Sequence, residues 1–396
     1  AYSKVSGLTI RNVTVVRSPG SGIFLDDSDY NNNYIKDVVF ENVTVIGSKG
    51  HGIHVKMYDE NSVNIAILNS SFVGNAQRGI YLERARGNVT IANVEVKNNG
   101  GWGIWIYGLN KPSLTFYGNR VEDNGRGIYF RGIVGSDFLI EGLRYNDFYS
   151  EGSTIENLTI RGLIADADVR KFEHAVYLSS GMYANVTIED CYINMNYTGG
   201  EGIHKHAYSK VSGLTIRNVT VVRSPGSGIF LDDSDYNNNY IKDVVFENVT
   251  VIGSKGHGIH VKMYDENSVN IAILNSSFVG NAQRGIYLER ARGNVTIANV
   301  EVKNNGGWGI WIYGLNKPSL TFYGNRVEDN SNGVYLKYLE SAQIRKSVIK
   351  NNSLGLRAEN LQNVGVFYSE FDCSDKAIHL LGGVNARINY CNLLNS

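Results

Sequence analysis

Leu8-Thr9-Ile10-Arg11-Asn12-Val13-Thr14-Val15, followed after a short turn by Gly22-Ile23-Phe24-Leu25, holds three apolar-x-apolar triplets in a row. Alternation with a period of two sends the first and third residue of each triplet to a core and the middle one to solvent, which is the pattern of a strand. The same grammar returns in Val38/Phe40, Val43/Val45 and Ile53/Val55, and again in Ile65/Ile67, Ser70/Phe72 and Ile80/Leu82. Three short strands per repeat imply a three-sided parallel β-helix. A Gly-apolar pair opens the third strand at Gly22-Ile23, Gly52-Ile53, Gly79-Ile80, Gly103-Ile104 and Gly127-Ile128. The series runs on through Ala175-Val176 and Gly202-Ile203, then Ile229, Ile259, Ile286, Ile310, Val334, Leu356 and Ile378, in steps of 22 to 30 residues except one of 48. These anchors predict about 14 coils of an all-β solenoid.

Residues 1–124 are repeated without one substitution as residues 207–330. The offset of 206 residues is a whole number of anchor steps, so the second copy re-enters the solenoid in phase. The expectation is one solenoid over 1–396, made of a unit 1–206 and a unit 207–396, with a loop insertion at about 131–153 in the long step.

Composition agrees with this class. The 396 residues include 44 Gly and only 4 Pro, and 38 basic residues balance 38 acidic ones. A neutral chain lacks the electrostatic footprint of a nucleic-acid binder, and no apolar run is long enough for membrane insertion, so neither partner is expected. Three cysteines (Cys191, Cys373, Cys391) form neither an even disulfide framework nor a CxxC metal motif.

Only two residues separate the first and second strands, and the second of them is Asn12, Asn42, Asn69 and Asn93 in successive coils. Asn tolerates the left-handed conformation that such a corner needs, and stacked amides can bond from coil to coil. This corner resembles the Asn ladder of pectate lyases. The chain is similar throughout to the right-handed parallel β-helix superfamily, with its pectate-lyase-like proteins and the carbohydrate-binding and sugar-hydrolase repeats of NosD-type proteins. The resemblance implies the fold; because that fold hosts lyases, hydrolases, epimerases, tailspikes and adhesins, it leaves the function open. Several corner asparagines lie in N-x-S/T sequons. An inward side chain there could carry no sugar, which makes Asn88, Asn185 and Asn196 the better acceptors.

The residue after each anchor faces solvent, and the column reads Phe24, His54, Tyr81, Trp105, Tyr129, Tyr177, His204, Phe230, His260, Tyr287, Trp311 and Tyr335. Two positions on comes a polar row with Asp26, Lys56, Glu83, Tyr107, Arg131, His206, Asp232, Lys262, Glu289 and Tyr313. Such rows stabilise parallel sheets by themselves, through ring stacking and ion pairs between rungs. They also make a platform on which the apolar faces of sugar rings can lie while polar neighbours fix orientation. The resemblance implies the same face, since pectate-lyase-like proteins bind their polymer there.

Catalysis is a second expectation, placed near residues 131–177. A polysaccharide lyase needs a base and cation assistance, for which Arg131, Arg170, Lys171 and His174 are candidate bases and Asp166 and Asp168 candidate Ca²⁺ ligands. A glycoside hydrolase would instead use two carboxylates. A metal cluster is conceivable at His204, His206 and Asp232, because the two imidazoles share one side of a strand and Asp232 should lie one coil on. The run Asp26-Asp27-Ser28-Asp29 lacks the glycine and terminal acid of an EF-hand loop and reads as a polar turn. The chain opens and closes within the repeat pattern, which suggests part of a larger repetitive protein or coils that stack head to tail into filaments. The favoured expectation is an extracellular or cell-surface stalk or adhesin whose aromatic face binds polysaccharide.

Overall fold

A computed structural model describes residues 4–28, 33–108, 112–169, 171–235, 239–382 and 385–394. The chain divides into two compact units, Ala1–Thr187 and Ile188–Ser396. Each unit is a parallel β-solenoid, and the described residues contain no helix, hence none long and apolar enough to cross a membrane.

In the first unit the anchors lie in register from rung to rung: Ile23 on Ile53, Ile53 on Ile80, Ile80 on Ile104 and Ile104 on Ile128. The long step then departs from expectation. Phe148–Glu151 pairs with the strand of Ile128 on one side and with that of Val176 on the other. Val134–Glu141 likewise pairs with Thr154–Arg161. Residues 131–153 are therefore no loop insertion but part of a coil of ordinary size, and the 48-residue step is two steps. The coil is hard to see in sequence because Asp147 stands where most coils carry the anchor glycine and Ser150 takes an inward place usually held by an aliphatic residue. Asp147 is fully buried; it accepts hydrogen bonds from the Gly127 amide at 2.6 Å and the Arg126 guanidinium at 3.0 Å.

The second unit shows the same register from Ile203 through Ile229, Ile259, Ile286, Ile310, Val334 and Leu356 to Ile378. Inward residues of the three sheets fill each core: Phe40, Val45 and Ile53 of one coil are fully buried, as are Ile67, Phe72 and Ile80 of the next. Neighbouring coils decide how well a given sequence is covered. Val13 is 36% exposed in the first described coil, whereas its copy Val219, beside the strand of Tyr192–Asn194, is fully buried.

The corner asparagines take the left-handed conformation, with φ of 56° at Asn12, 53° at Asn42, 48° at Asn69 and 55° at Asn93. Their amides do bond between coils, Asn42 Nδ2 donating to Asn12 Oδ1 at 2.7 Å. Their side chains are exposed rather than inward, which corrects the reasoning that burial bars them from carrying sugar. The inward ladder stands at the next corner instead. Asn75, Asn99, Asn124 and Asn146 are buried and linked amide to amide, and Asn281, Asn305, Asn330 and Asn352 repeat the arrangement.

Candidate functional site

The outward column of the third strand is continuous in the first unit. Ring centroids are 5.0 Å apart for Phe24 and His54, 4.4 Å for His54 and Tyr81, 5.8 Å for Tyr81 and Trp105, and 4.9 Å for Trp105 and Tyr129. Tyr149, contributed by the unforeseen coil, stands in register between Tyr129 and Tyr177. The second unit repeats the order, with 5.0 Å for Phe230 and His260, 4.6 Å for His260 and Tyr287, 5.9 Å for Tyr287 and Trp311, and 4.8 Å for Trp311 and Tyr335.

A further column interlocks with this one. His51, Arg78, Trp102 and Arg126 each precede an anchor glycine, and their side chains lie against the rings. His51 approaches both His54 and Tyr81, and Trp102 packs against Trp105, Tyr129 and Tyr149. The Arg78 guanidinium carbon lies 4.3 Å from the Tyr81 ring centre and 4.0 Å from that of Trp105; Arg284 repeats this over Tyr287 and Trp311 at 4.4 and 4.1 Å. Arg126 covers Trp102 and Tyr149 in the same way. Much of the aromatic surface is thus half-buried beneath cations rather than open, and cation–π attraction fixes both partners. The fixed offset before the glycine is the sequence signal that would have revealed this column.

The polar row ties into the rings. Glu83 accepts from Tyr58 Oη at 2.7 Å and faces His54 Nε2 at 3.5 Å; Glu289 accepts from Tyr264 Oη at 2.6 Å and faces His260 Nε2 at 3.3 Å. Burial alone would raise the Glu83 pKa, but the bonds from Tyr58 and His54 outweigh it and hold the carboxylate below its ordinary value. In the second copy the closer His260 contact comes first among the causes and Glu289 falls to about 2. Burial pushes His51 down to about 4 and His257 to about 3, with the neighbouring histidine and arginine acting in the same direction. At neutral pH these imidazoles are uncharged, and the His51 Nδ1 accepts the Arg78 amide at 3.1 Å. Tyr129 donates its phenol to Glu151, and Lys337 and Tyr335 converge on Glu359 at 2.7 and 2.6 Å.

The other anticipated residues fall as follows. Arg131 ends the strand Arg126–Arg131, exposed, beside Tyr107 at 5.4 Å and in register with Glu151. Lys171 is exposed in the turn before Val176–Ser179, and Arg170 lies outside the described residues. His174 is 8% exposed; its ring stacks on Tyr177 at 5.0 Å and its amide donates to Tyr149 Oη at 2.9 Å, so it joins the aromatic column. Asp166 sits at the end of a second-sheet strand, where its carboxylate accepts the Asp168 amide at 3.1 Å and closes a local turn. His204 and His206 have ring centroids 5.7 Å apart, and His204 Nδ1 faces Glu201 at 3.4 Å. Asp232 faces Lys262 at 3.7 Å and accepts the Ser234 amide at 2.8 Å. Tyr313 packs edge-on against Tyr338. The polar-turn reading of the acidic run fits the buried Asp27, whose carboxylate accepts the Asp59 amide at 3.2 Å and bonds the Tyr58 amide and Ser62 hydroxyl; Asp29 lies outside the described residues.

The family model described as "Right handed beta helix region" matches residues 2–132 and 207–393. Among solved structures, the A-module of the Azotobacter vinelandii mannuronan C-5 epimerase AlgE6 is similar at 16% identity, covering 94% of this chain and 90% of that one with a TM-score of 0.44. The receptor binding domain of the siphovirus 9NA tailspike is similar at 12% identity, covering 98% and 72% with a TM-score of 0.31. At such identities the likeness is one of fold. No curated protein sequence matches the chain.

Proposed function

The chain belongs to the right-handed β-helix family, and from that premise we propose that it is a polysaccharide-binding β-helix of the cell surface or extracellular space, with the third-strand face as its binding surface. The observation that carries this reading is the continuous outward column of rings, interlocked with guanidinium groups and edged by carboxylates, lysines and phenols, that occurs once in each unit. Aromatic edges and stacked guanidiniums supply the flat, weakly hydrated surface on which sugar rings lie, and the polar row supplies hydroxyl partners. Two copies of one patch suit a polymer that repeats, because the second contact benefits from the effective concentration set by the first. Head-to-tail self-association belongs to the same reading, since parallel coils present the same backbone bonds at every rung; threads in electron micrographs of the purified chain would support it.

Affinity electrophoresis through gels containing acidic or neutral polysaccharides tests the binding surface. Trp105→Ala combined with Trp311→Ala should abolish most of the retardation without unfolding the chain. Full retention by the double variant would rule the face out. Turnover on the same panel, followed as new double bonds or reducing ends with and without Ca²⁺, would favour a lyase or hydrolase acting through Arg131, Lys171 or His174 instead.

A further inference from the structure

Among the described residues, Arg78, Arg126, Arg284 and Arg357 lie on the rings of the third-strand column, and they differ in what balances their charge. Arg126 is held by the buried Asp147 at 3.0 Å, and Arg357, 5.0 Å from the Tyr335 ring centre, is held by Glu359 at 3.2 Å. Each keeps one nitrogen without a partner, but a carboxylate cancels its charge. Arg78 and Arg284 have no such carboxylate, and among the described residues the Nε of each is buried with no acceptor. The nearest acid, Glu83 or Glu289, already takes a phenol and an imidazole.

Arg78 and Arg284 are half-buried, so part of each guanidinium is desolvated while its outer edge still meets solvent, and a partly desolvated cation without an anion is an unfavourable arrangement that a bound anion relieves. The contrast shows in the proton affinities. Burial lowers the Arg78 and Arg284 pKa despite nearby Tyr81, Glu83, Tyr287 and Glu289. For Arg126 burial acts the same way, yet Asp147 reverses it and the pKa is raised. Stacking between two rings also fixes the plane of each guanidinium, so that its donor edge is presented with little rotamer freedom left to lose.

We propose that Arg78 and Arg284 each bind an oxyanion carried by a sugar, a carboxylate or a sulfate, and so select anionic polysaccharides at the two copies of the face. The inference rests on the glycan-binding reading above and adds the charge class and the residue that reads it. The flat guanidinium offers two parallel N–H donors to such a group, as in bidentate arginine–carboxylate pairs, while the edge of the Trp105 or Trp311 ring that it covers contacts the sugar's apolar face.

The four tryptophans of the chain are Trp102, Trp105, Trp308 and Trp311, all on this face, so selectively excited tryptophan fluorescence reports on it, free of the 25 tyrosines. The test titrates the full chain with dextran, with dextran sulfate and with polygalacturonate, the last two separating sulfate from carboxylate on the polymer. The expected result is a saturable fluorescence change at least ~10-fold tighter for an anionic polymer than for dextran, weakened by salt. Arg78→Gln or Arg284→Gln should each remove about half of the binding capacity, since the two sites are identical in sequence, and together should abolish the anionic preference while leaving binding to dextran. Arg78→Lys with Arg284→Lys keeps the charge but loses the planar fork, and intermediate affinity is expected even if the glutamine variants fold poorly. Equal response to dextran and to both anionic polymers in the wild type, or an anionic preference that survives the double glutamine variant, would overturn the inference and leave the glycan-binding reading standing. No response and no gel retention with any polymer would overturn both.

Discussion

Asn99 fastens three coils with one amide. Its Nδ2 donates to the Phe72 carbonyl at 2.9 Å and to Asn124 Oδ1 at 2.8 Å, while its Oδ1 accepts the Asn75 amide at 3.0 Å. The side chain is buried, so none of these groups can turn to water instead. Asn99→Ala leaves the Phe72 carbonyl and the Asn75 amide short of a partner, each an unpaired buried group of about 1–3 kcal/mol. A loss of roughly 2–4 kcal/mol is expected in urea denaturation, and a loss under about 0.5 kcal/mol would show that the ladder is not what holds this corner. At the corner of Asn12, by contrast, the side chains are exposed and what matters is the left-handed backbone, so Asn42→Gly should cost far less.

The strand that carries the candidate site depends on the glycine that opens it. At Gly79 an added Cβ would lie 2.3 Å from Val96 Cγ1 and 2.8 Å from the Gly103 carbonyl oxygen, and at Gly285 2.3 Å from Val302 Cγ1. Gly79→Ala must push apart two packed coils against a backbone carbonyl as well as a side chain, so the upper end of overpacking costs, about 3 kcal/mol or more, is expected. Gly74, left-handed at φ 67° with nothing within 4 Å, should lose only about 1–2 kcal/mol on the same substitution. Thermal melts of the two variants check the order, and equal destabilisation would contradict it. These glycines made the coil legible in the sequence, because close approach demands the residue type itself. The coil of Phe148 was illegible for the converse reason: Asp147 replaces the glycine and is stabilised by Arg126, a contact between positions 21 residues apart that no local pattern discloses. The aromatic column followed from alternation alone. Its interlocking partners did not, since whether His51, Arg78 and Trp102 lie on the rings or point away is decided by packing between coils.

Because residues 1–124 recur in 207–330, each compact unit contains the same buried imidazoles, and the pH dependence of stability should be shared by both. His51 and His257 have folded-state pKa values of about 4 and about 3, against about 6.5 for an unfolded histidine. His54 and His260 are lowered as well, burial outweighing their glutamates. Between those values and pH 6.5 the unfolded chain binds more protons than the folded one, so stability is full above pH 6.5 and falls as the solution is acidified. Glu83 and Glu289, also lowered, add a second loss of the same sign below about pH 4.5, where unfolded carboxylates take up protons that the folded ones refuse. Urea midpoints should therefore decline from pH 6.5 to 5 through the histidines, with the raised carboxyls of Glu201 and Asp233 offsetting part of the fall and the lowered Lys205 adding a small rise near pH 8. His51→Asn with His257→Asn keeps an acceptor for the Arg78 and Arg284 amides, which now bond to the imidazole Nδ1 at 3.1 and 3.2 Å, and removes the titration. The double variant should lose a large part of the decline between pH 6.5 and 5 while retaining the steeper fall below 4.5. An unchanged slope would place the acid sensitivity elsewhere in the chain and leave the neutral imidazoles of this face without the energetic role argued for them.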